Sequence, residues 1–347
     1  MGTIGLDLHK RESQLCILAE DGSVTERRIV TSRERFTAVL GNRPGARILL
    51  EASTESEWVA QHLESLGHDV IVADPNYAPM YATRARRVKT DRRDARALAE
   101  ALKLGAFRTA HRVSAERRHI RAELAVRETL VRTRTRYISL AKALVRRDGL
   151  RVTGSEAEKV ALRIAELDLS DTLASELMPL FQVLAPINDQ IKSADRRIEA
   201  LSKNDREVSL LTTAPSIGPV TASAIVATVD DISRFQSAHQ FEAFLGLVPG
   251  ERSSGEKRRV GKITKAGNSR VRYLLVEAAW RIMRSNNEET QALRAWALLI
   301  AARRGKRIAV VALARRLAGI LYAMWRDKSQ YNATSIRMPR PITAKAS

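Results

Sequence analysis

The sequence holds a single cysteine, Cys16, in 347 residues. That excludes an internal disulfide and any thiolate metal site, and it fits a reducing compartment. Aromatic residues make up only 5% of the chain, too few for rows of platforms on which single strands stack. Acids are also short: 39 Asp and Glu face 59 Lys and Arg, for a formal charge of +20. The pI is about 10.7. Long uncharged apolar runs are missing too. The most apolar stretch, Ile308 to Trp325, carries Arg315 and Arg316 at its middle and is expected as a buried amphipathic helix, not a membrane span. Asp7, His9 and Lys10 interrupt any apolar start, so no signal peptide is expected. The six histidines (His9, His62, His68, His111, His119, His239) show no ligand spacing and are expected to be structural or surface residues. A phosphate-cradling P-loop is absent as well. Gly255 and Gly261 have five residues between them and Ile263 follows Lys262, where that motif needs four intervening residues and Ser or Thr after the Lys.

What is present is a basic chain with enough apolar residues, 44%, for real cores. Its length suggests two or three domains. The positive charge is spread through folded-looking segments and not gathered in one tail. Nucleic acid is therefore the expected partner, and a membrane surface is not.

Residues 1–110 alternate strands and helices. "TIGLDL", "SQLCIL" and "ERRIV" read as three strands, with Asp21-Gly22 as a hairpin turn. A helix capped by Ser32 follows, then a buried strand "ARILLEA", a helix over 55–66 and a fifth strand "HDVIVAD". "KTDRRDARALAEALKLG" is expected to be a helix from about Thr90 to Gly105. The fold expected is a mixed five-stranded sheet with helices on its faces. Residues 111–205 have no proline before 179 and a loose heptad of Ile120, Leu124, Val131, Ile138, Ala141 and Val145. With "DQIKSADRRIEALSK" they suggest an antiparallel coiled-coil pair. Arg117, Arg121, Arg132 and Arg134 crowd its first helix; such a run is partly a solvated face and partly a phosphate-contacting one. A third unit, 206–327, ends in helices near 269–285, 288–304 and 306–326. The tail, 328–347, is polar and expected to be disordered.

Four acids stand out in the first domain. Asp7 and Glu51 each end a strand, and Asp91 and Asp94 are three apart at the start of a helix, hence on one face. Converging carboxylates would repel one another unless a divalent cation relieved the repulsion. Two such ions suit phosphoryl transfer. Taken singly, each acid also reads as an ordinary cap.

The third unit holds "ERSSGEKRRVGKITKAGNSR", residues 251–270, with a serine doublet, three glycines and seven Lys or Arg. A solvated turn explains it, and so does a serine nucleophile, Ser254 or its neighbour Ser253, facing a phosphodiester. In the second case Arg252, Lys257, Arg258, Arg259, Lys262 and Lys265 would offset the phosphate charge. Just upstream, "APSIGPVTASAIVA" reads either as a helix-hairpin-helix whose backbone N–H groups near Gly218 bind a phosphate, or as a plain helix start with Pro219 in its first turn.

The motifs "IGLDLHK", "LLEAS", "VKTDRRDARALAEAL", "TAPSIGPVTASAI", "FEAFLGLVPGERSSGEKRRVGKITKAGN" and "VRYLLVEAAW" occur in this order over about residues 1–326. Together they resemble the DEDD-type transposases of the insertion-sequence one-ten family. The resemblance implies an RNase H-like, resolvase-like first domain whose tetrad Asp7, Glu51, Asp91 and Asp94 binds magnesium. It also implies a covalent phosphoserine intermediate on the serine before Gly255, Ser254, with Ser253 as runner-up. A structured noncoding bridge RNA would guide the enzyme to donor and target DNA, within a dimer or tetramer in the prokaryotic cytoplasm at the nucleoid. Two other readings stay open: a magnesium-dependent junction nuclease with water as nucleophile, and a non-catalytic nucleic-acid-binding scaffold.

Overall fold

The computed structural model describes residues 2–19, 21–81, 90–154, 156–254 and 257–335, and at 252–254 and 257–260 the backbone alone. The chain forms two compact units, Met1–Val113 and Ser114–Ser347.

In the first unit, strands β1 (Thr3–Leu8), β2 (Glu12–Leu18) and β3 (Val24–Val30) form an antiparallel meander. Helix α1 (Arg33–Leu40) follows, capped by Ser32, whose hydroxyl accepts from Arg35 N–H. Strand β4 (Arg47–Glu51), helix α2 (Ser56–Ser65) and strand β5 (Asp69–Ala73) come next, then helix α3 (Asp91–Leu104). The strand order is β3-β2-β1-β4-β5, with β4 parallel to both β1 and β5. This is the mixed five-stranded, RNase H-like sheet expected from the sequence.

Strand alternation divides the sheet into two faces. Ile4, Leu6, Leu15, Ile48, Leu50 and Val72 pack against α1 and α2 through Phe36, Leu40, Val59 and Leu63. The other face carries Gly5, Cys16 and Leu49, and α3 covers it with Ala95, Leu98, Ala99 and Leu102. Burial pushes the Cys16 thiol pKa up, so it sits there as a small apolar side chain and not as a reactive thiolate. Gly5 is the pivot of that packing. A Cβ at this position would lie 2.0 Å from the Ala95 carbonyl oxygen and 2.4 Å from the Ala99 amide. Only glycine lets the backbone of α3 lie this close to β1.

The second unit opens with helices α4 (Ala115–Arg147), α5 (Val160–Ala165) and α6 (Asp171–Ser202). The two long helices pack antiparallel. Ile120 and Leu124 share a core with Ile198, while Ile138, Ala141 and Val145 meet Leu173, Leu177 and Leu184. The heptad expected on α4 is buried except at Val131, which is half-buried. Helix α6 starts well before the expected stretch and runs through Pro179 and Pro186. A proline inside a helix costs about 3 kcal/mol, and burial of Leu173, Leu177, Leu184, Ile191 and Ile198, at about 1.5–3 kcal/mol each, outweighs two.

Helices α7 (Arg206–Leu211), α8 (Pro219–Val229) and α9 (Ala238–Phe244) follow, then strands β6 (Pro249–Ser254) and β7 (Lys257–Ile263), then α10 (Ser269–Arg284), α11 (Glu288–Arg304) and α12 (Lys306–Asp327). All of these helices contribute to one core, which also takes in the α4 residues Ile120 and Leu124. The division expected at 205 therefore runs through shared packing. By length and composition α12 could span a membrane, yet 56% of its most apolar window is buried, with Leu313, Leu317, Leu321 and Tyr322 in the core. It is the core helix expected from its paired arginines. The chain after α12 was expected to be disordered, but its first residues are placed. Tyr331 donates from its backbone N–H to Thr213 Oγ1 at 3.1 Å and from its hydroxyl to the Glu289 carbonyl at 3.2 Å. Residues 336–347 lie outside the described residues.

Candidate functional site

Leu6 on β1 pairs with Leu50 on β4 in parallel register. The next residue on each strand is acidic, Asp7 and Glu51, so both carboxylates arise at the same end of adjacent strands. Asp7 is two residues beyond Gly5 and therefore on its face, under α3. Because Gly5 admits α3 so closely, the first turn of that helix comes over Asp7. Thr90 caps the turn, its hydroxyl accepting from Arg93 N–H at 3.4 Å. Asp91 and Asp94 occupy the turn itself, Asp94 buried and Asp91 exposed.

Asp7, His9 and Asp91 come together, with one ligand atom from each lying within 4.8 Å of the others. His9 Nε2 is 3.3 Å from Asp7 Oδ2 and 3.5 Å from Asp91 Oδ1. Asp7 is buried, 8% exposed, whereas His9 and Asp91 face solvent. Glu51 and Asp94 stand outside this three-residue group, Glu51 at the end of β4 and Asp94 one helical turn beyond Asp91. His9 is a surface residue, as expected of the histidines, yet it stands beside both carboxylates. It lies two residues after Asp7, a spacing that returns to the same side of an extended chain, and that spacing was the available signal. His68 is structural as expected, its ring bridging the Ala46 N–H and the Leu40 carbonyl oxygen.

The basic stretch expected as a loop is an antiparallel hairpin. Ser253 pairs with Arg258 and Ser254 with Lys257. Two β-branched residues in "KRRVGKI", Val260 and Ile263, suit a strand, a signal masked by its charge. The side chains of Arg252, Ser253, Ser254, Lys257, Arg258 and Arg259 lie outside the described residues, as does Gly255. Lys262 and Lys265 are exposed. The hairpin base is tied down by Thr264 N–H donating to the Val248 carbonyl (2.9 Å) and Lys265 N–H to the Gly246 carbonyl (3.1 Å).

Three of the four arginines expected on a phosphate-contacting face of α4 have internal partners. Arg117 pairs with Asp205, with side chains only 13% and 5% exposed. Burial works against the Asp205 charge, yet the Arg117 hydrogen bond prevails and holds its carboxyl below the ordinary value. Arg121 donates to the Ala227 and Thr228 carbonyls at 2.6 and 2.8 Å. Arg134 donates to Glu158 at 2.6 Å and to Asn188 at 3.2 Å. Arg132 alone projects, 72% exposed, beside Glu128. The periodicity that crowds arginines onto α4 also turns several toward α6 and α8, which sequence alone did not separate.

Gly218 is the N-cap of α8 and Pro219 its first residue. Being glycine, the N-cap residue supplies no side-chain cap of its own, and a Cβ on Gly218 would meet nothing within 4 Å. At the other end, Arg121 and Arg234 bind the last carbonyls, Arg234 donating to Val229 at 2.9 Å.

Residues 4–147 match a family model described as "Transposase", of the DEDD IS110 type. Residues 208–294 match the model "Transposase IS116/IS110/IS902 family". The two matches together span well over half of the chain. The chain is also similar to a Pseudomonas aeruginosa protein named "Probable family 20 transposase", 29% identical over 95% of this chain and 98% of the relative. Similarity to the "Transposase for insertion sequence element IS1111A" of Coxiella burnetii is 28% identity over 94% of this chain and 90% of the relative. For the "Transposase for insertion sequence element IS1328" of Yersinia enterocolitica it is 26% over 92% and 96%.

Proposed function

Because the chain belongs to the IS116/IS110/IS902 family of transposases, we propose that it recombines DNA using a serine nucleophile and a metal-binding acidic site, guided by a structured RNA. A transposase is an enzyme that cuts and rejoins DNA. The observation that most supports the finer reading is the gathering of Asp7, His9 and Asp91 from a strand and a helix distant in sequence.

The donor set fits a divalent cation. Two carboxylates at this separation repel, and oxygen donors suit magnesium. Asp7 and Asp91, with Glu51 and Asp94 at their margins and His9 between them, are the residues that would hold it. When bound, such an ion offsets the charge that develops on the attacking and leaving oxygens of a phosphoryl transfer.

In this reading Ser254 Oγ forms a bond to phosphorus as the phosphorus–oxygen bond to one strand end breaks. The serine gives up its proton and the departing strand oxygen takes one up, so the number of ester bonds is unchanged. Rejoining to a new end by the reverse step then needs no ATP. Ser253 is the neighbouring alternative. Arg252, Lys257, Arg258, Arg259, Lys262 and Lys265 would meet the phosphate backbone, and the N–H groups that follow Gly218 a further phosphate. Exposed Arg132 would also meet phosphate, whereas Arg117, Arg121 and Arg134 support the fold. With sequence choice left to base pairing, the protein holds backbone and duplex shape. It would work as a dimer or tetramer in the cytoplasm.

Ser254→Ala and Ser253→Ala, assayed with end-labelled donor DNA, magnesium and the RNA that copurifies, test the reading. A protein–DNA adduct that survives denaturation should form in wild type and Ser253→Ala and be lost in Ser254→Ala, with RNA binding intact. Magnesium-dependent cutting that persists in Ser254→Ala points instead to attack by water. Full activity in Asp7→Asn would leave only a scaffold.

A further inference from the structure

Val131 occupies a core position of the α4 heptad and is nevertheless half-buried. On that side α4 faces the first turns of α8 and α10 across a groove of about 480 Å³. Leu124, Val131, Val220 and Leu274 form an apolar floor. Tyr273 of α10 stands over it, 61% exposed.

The rim is cationic. Arg270 and Arg132 both bind Glu128, so the acid at the rim is neutralised from two sides. Arg136, one helical turn further along, is exposed and forms no ion pair among the described residues. The Tyr273 phenol, whose ordinary pKa near 10 is moved only upward by partial desolvation and Glu277, is neutral at physiological pH and keeps its O–H as a donor.

An occupant must satisfy an apolar floor, one aromatic face and a guanidinium rim together. A second copy of a chain with a formal charge of +20 would bring cations against cations. An unpaired nucleotide meets all three demands. Its base offers π-faces to Tyr273 and to the floor, its edge offers hydrogen bonds, and its flanking phosphates offer charge to arginine. The groove volume falls within the range of about 300–1,000 Å³ usual for small-ligand sites. A single aromatic suits one base, which agrees with a chain poor in aromatics.

We infer that the groove between α4 and α10 receives one unpaired nucleotide of a DNA strand, its base stacked on Tyr273 and its phosphates held by Arg132 and Arg136. Naming DNA as the source rests on the transposase reading. That reading also gives the site a use, since strands that are cut and exchanged pass through unpaired states.

The test compares full-length wild type with Tyr273→Ala, Tyr273→Phe and Arg136→Glu. Binding is measured by anisotropy on a DNA duplex bearing one bulged 2-aminopurine and on the same duplex fully paired. Tyr273→Ala should weaken binding of the bulged DNA about tenfold, in line with the loss of one base–aromatic stack, and leave paired DNA within about twofold. Tyr273→Phe should keep the bulge preference. Arg136→Glu, which touches no core residue, should lose it, so the test survives a Tyr273→Ala protein that fails to fold. Wild type should change 2-aminopurine emission on binding, and folded Tyr273→Ala should not. Equal losses on both DNAs, a folded Tyr273→Ala that keeps the preference, or losses confined to a bulged RNA overturn the inference. So does a change of oligomeric state in these variants, which would assign the groove to another copy. Wild type that binds no DNA at all would sink the transposase reading along with it.

Discussion

Replacing Gly5 with alanine is the most direct probe of how the acidic site is assembled. The added Cβ would meet the Ala95 carbonyl oxygen at 2.0 Å and the Ala99 amide at 2.4 Å, where 3.4–4 Å is ordinary contact. Both obstacles are backbone atoms of helix α3, so no side chain can rotate away. Helix α3 must lift from β1, which opens its contacts with Cys16 and Leu49 and draws Asp91 away from Asp7. Overpacking of this kind costs about 1–3 kcal/mol and occasionally more, and a backbone clash belongs at the upper end. For the unit Met1–Val113, about 3 kcal/mol corresponds to a fall in Tm of roughly 10–20 °C. Gly22→Ala is the control. Gly22 has a φ of 84° and open space around it, so alanine there meets only backbone strain, about 1 kcal/mol. Calorimetric unfolding, with manganese titrated into each folded variant, reads both consequences. If Gly5→Ala melts no lower than Gly22→Ala and binds metal as wild type does, α3 is not seated on β1 as described.

Two further outcomes follow from the same geometry. Removing the imidazole in His9→Asn should weaken manganese binding about tenfold or more in calorimetry on the metal-free full chain without DNA, and leave the metal-free Tm unchanged; equal affinity removes His9 from the ligand set. Asp205→Asn should cost about 3 kcal/mol at neutral pH, since buried Arg117 loses its close partner and keeps only Glu207, 3.7 Å away and half-exposed. The sign of its pH dependence is fixed by the lowered Asp205 pKa. The stability it lends is present above the unfolded carboxylate value of about 4 and is lost as pH falls through the folded value. The variant should therefore show a shallower loss of stability below pH 4 than wild type, and an unchanged acid slope would deny the pair its role.

Local chemistry made most of the elements legible. Ser32 and Thr90 cap the helices their positions suggested, and Gly105 closes α3 with a left-handed residue. Alternation along "TIGLDL" placed Asp7 on the face that α3 covers. What local pattern did not carry was tertiary choice. Prolines 179 and 186 disfavour a helix locally, yet α6 runs through both because its apolar side is buried along its length. The arginines of α4 form one basic run in sequence, and only the neighbours Asp205, Ala227 and Glu158 determine which of them turn inward. The hairpin of β6 and β7 was hidden by its charge. His9 was passed over because a single histidine has no spacing partner of its own kind; its partners are carboxylates, one of them far along the chain.

The unequal treatment of the two ends of α8 has an electrical consequence. Aligned peptide dipoles give a helix roughly half a positive charge at its start and half a negative charge at its finish. Here Arg121 and Arg234 ground the negative pole on the carbonyls of Ala227, Thr228 and Val229, while the N-cap at the positive pole is Gly218, which has no side-chain acceptor of its own to offer. The helix then behaves less like a dipole than like a lone fractional cation fixed in the backbone. Such a charge does not titrate and belongs to no single side chain, so reversing the lysines and arginines around it one at a time would leave it standing.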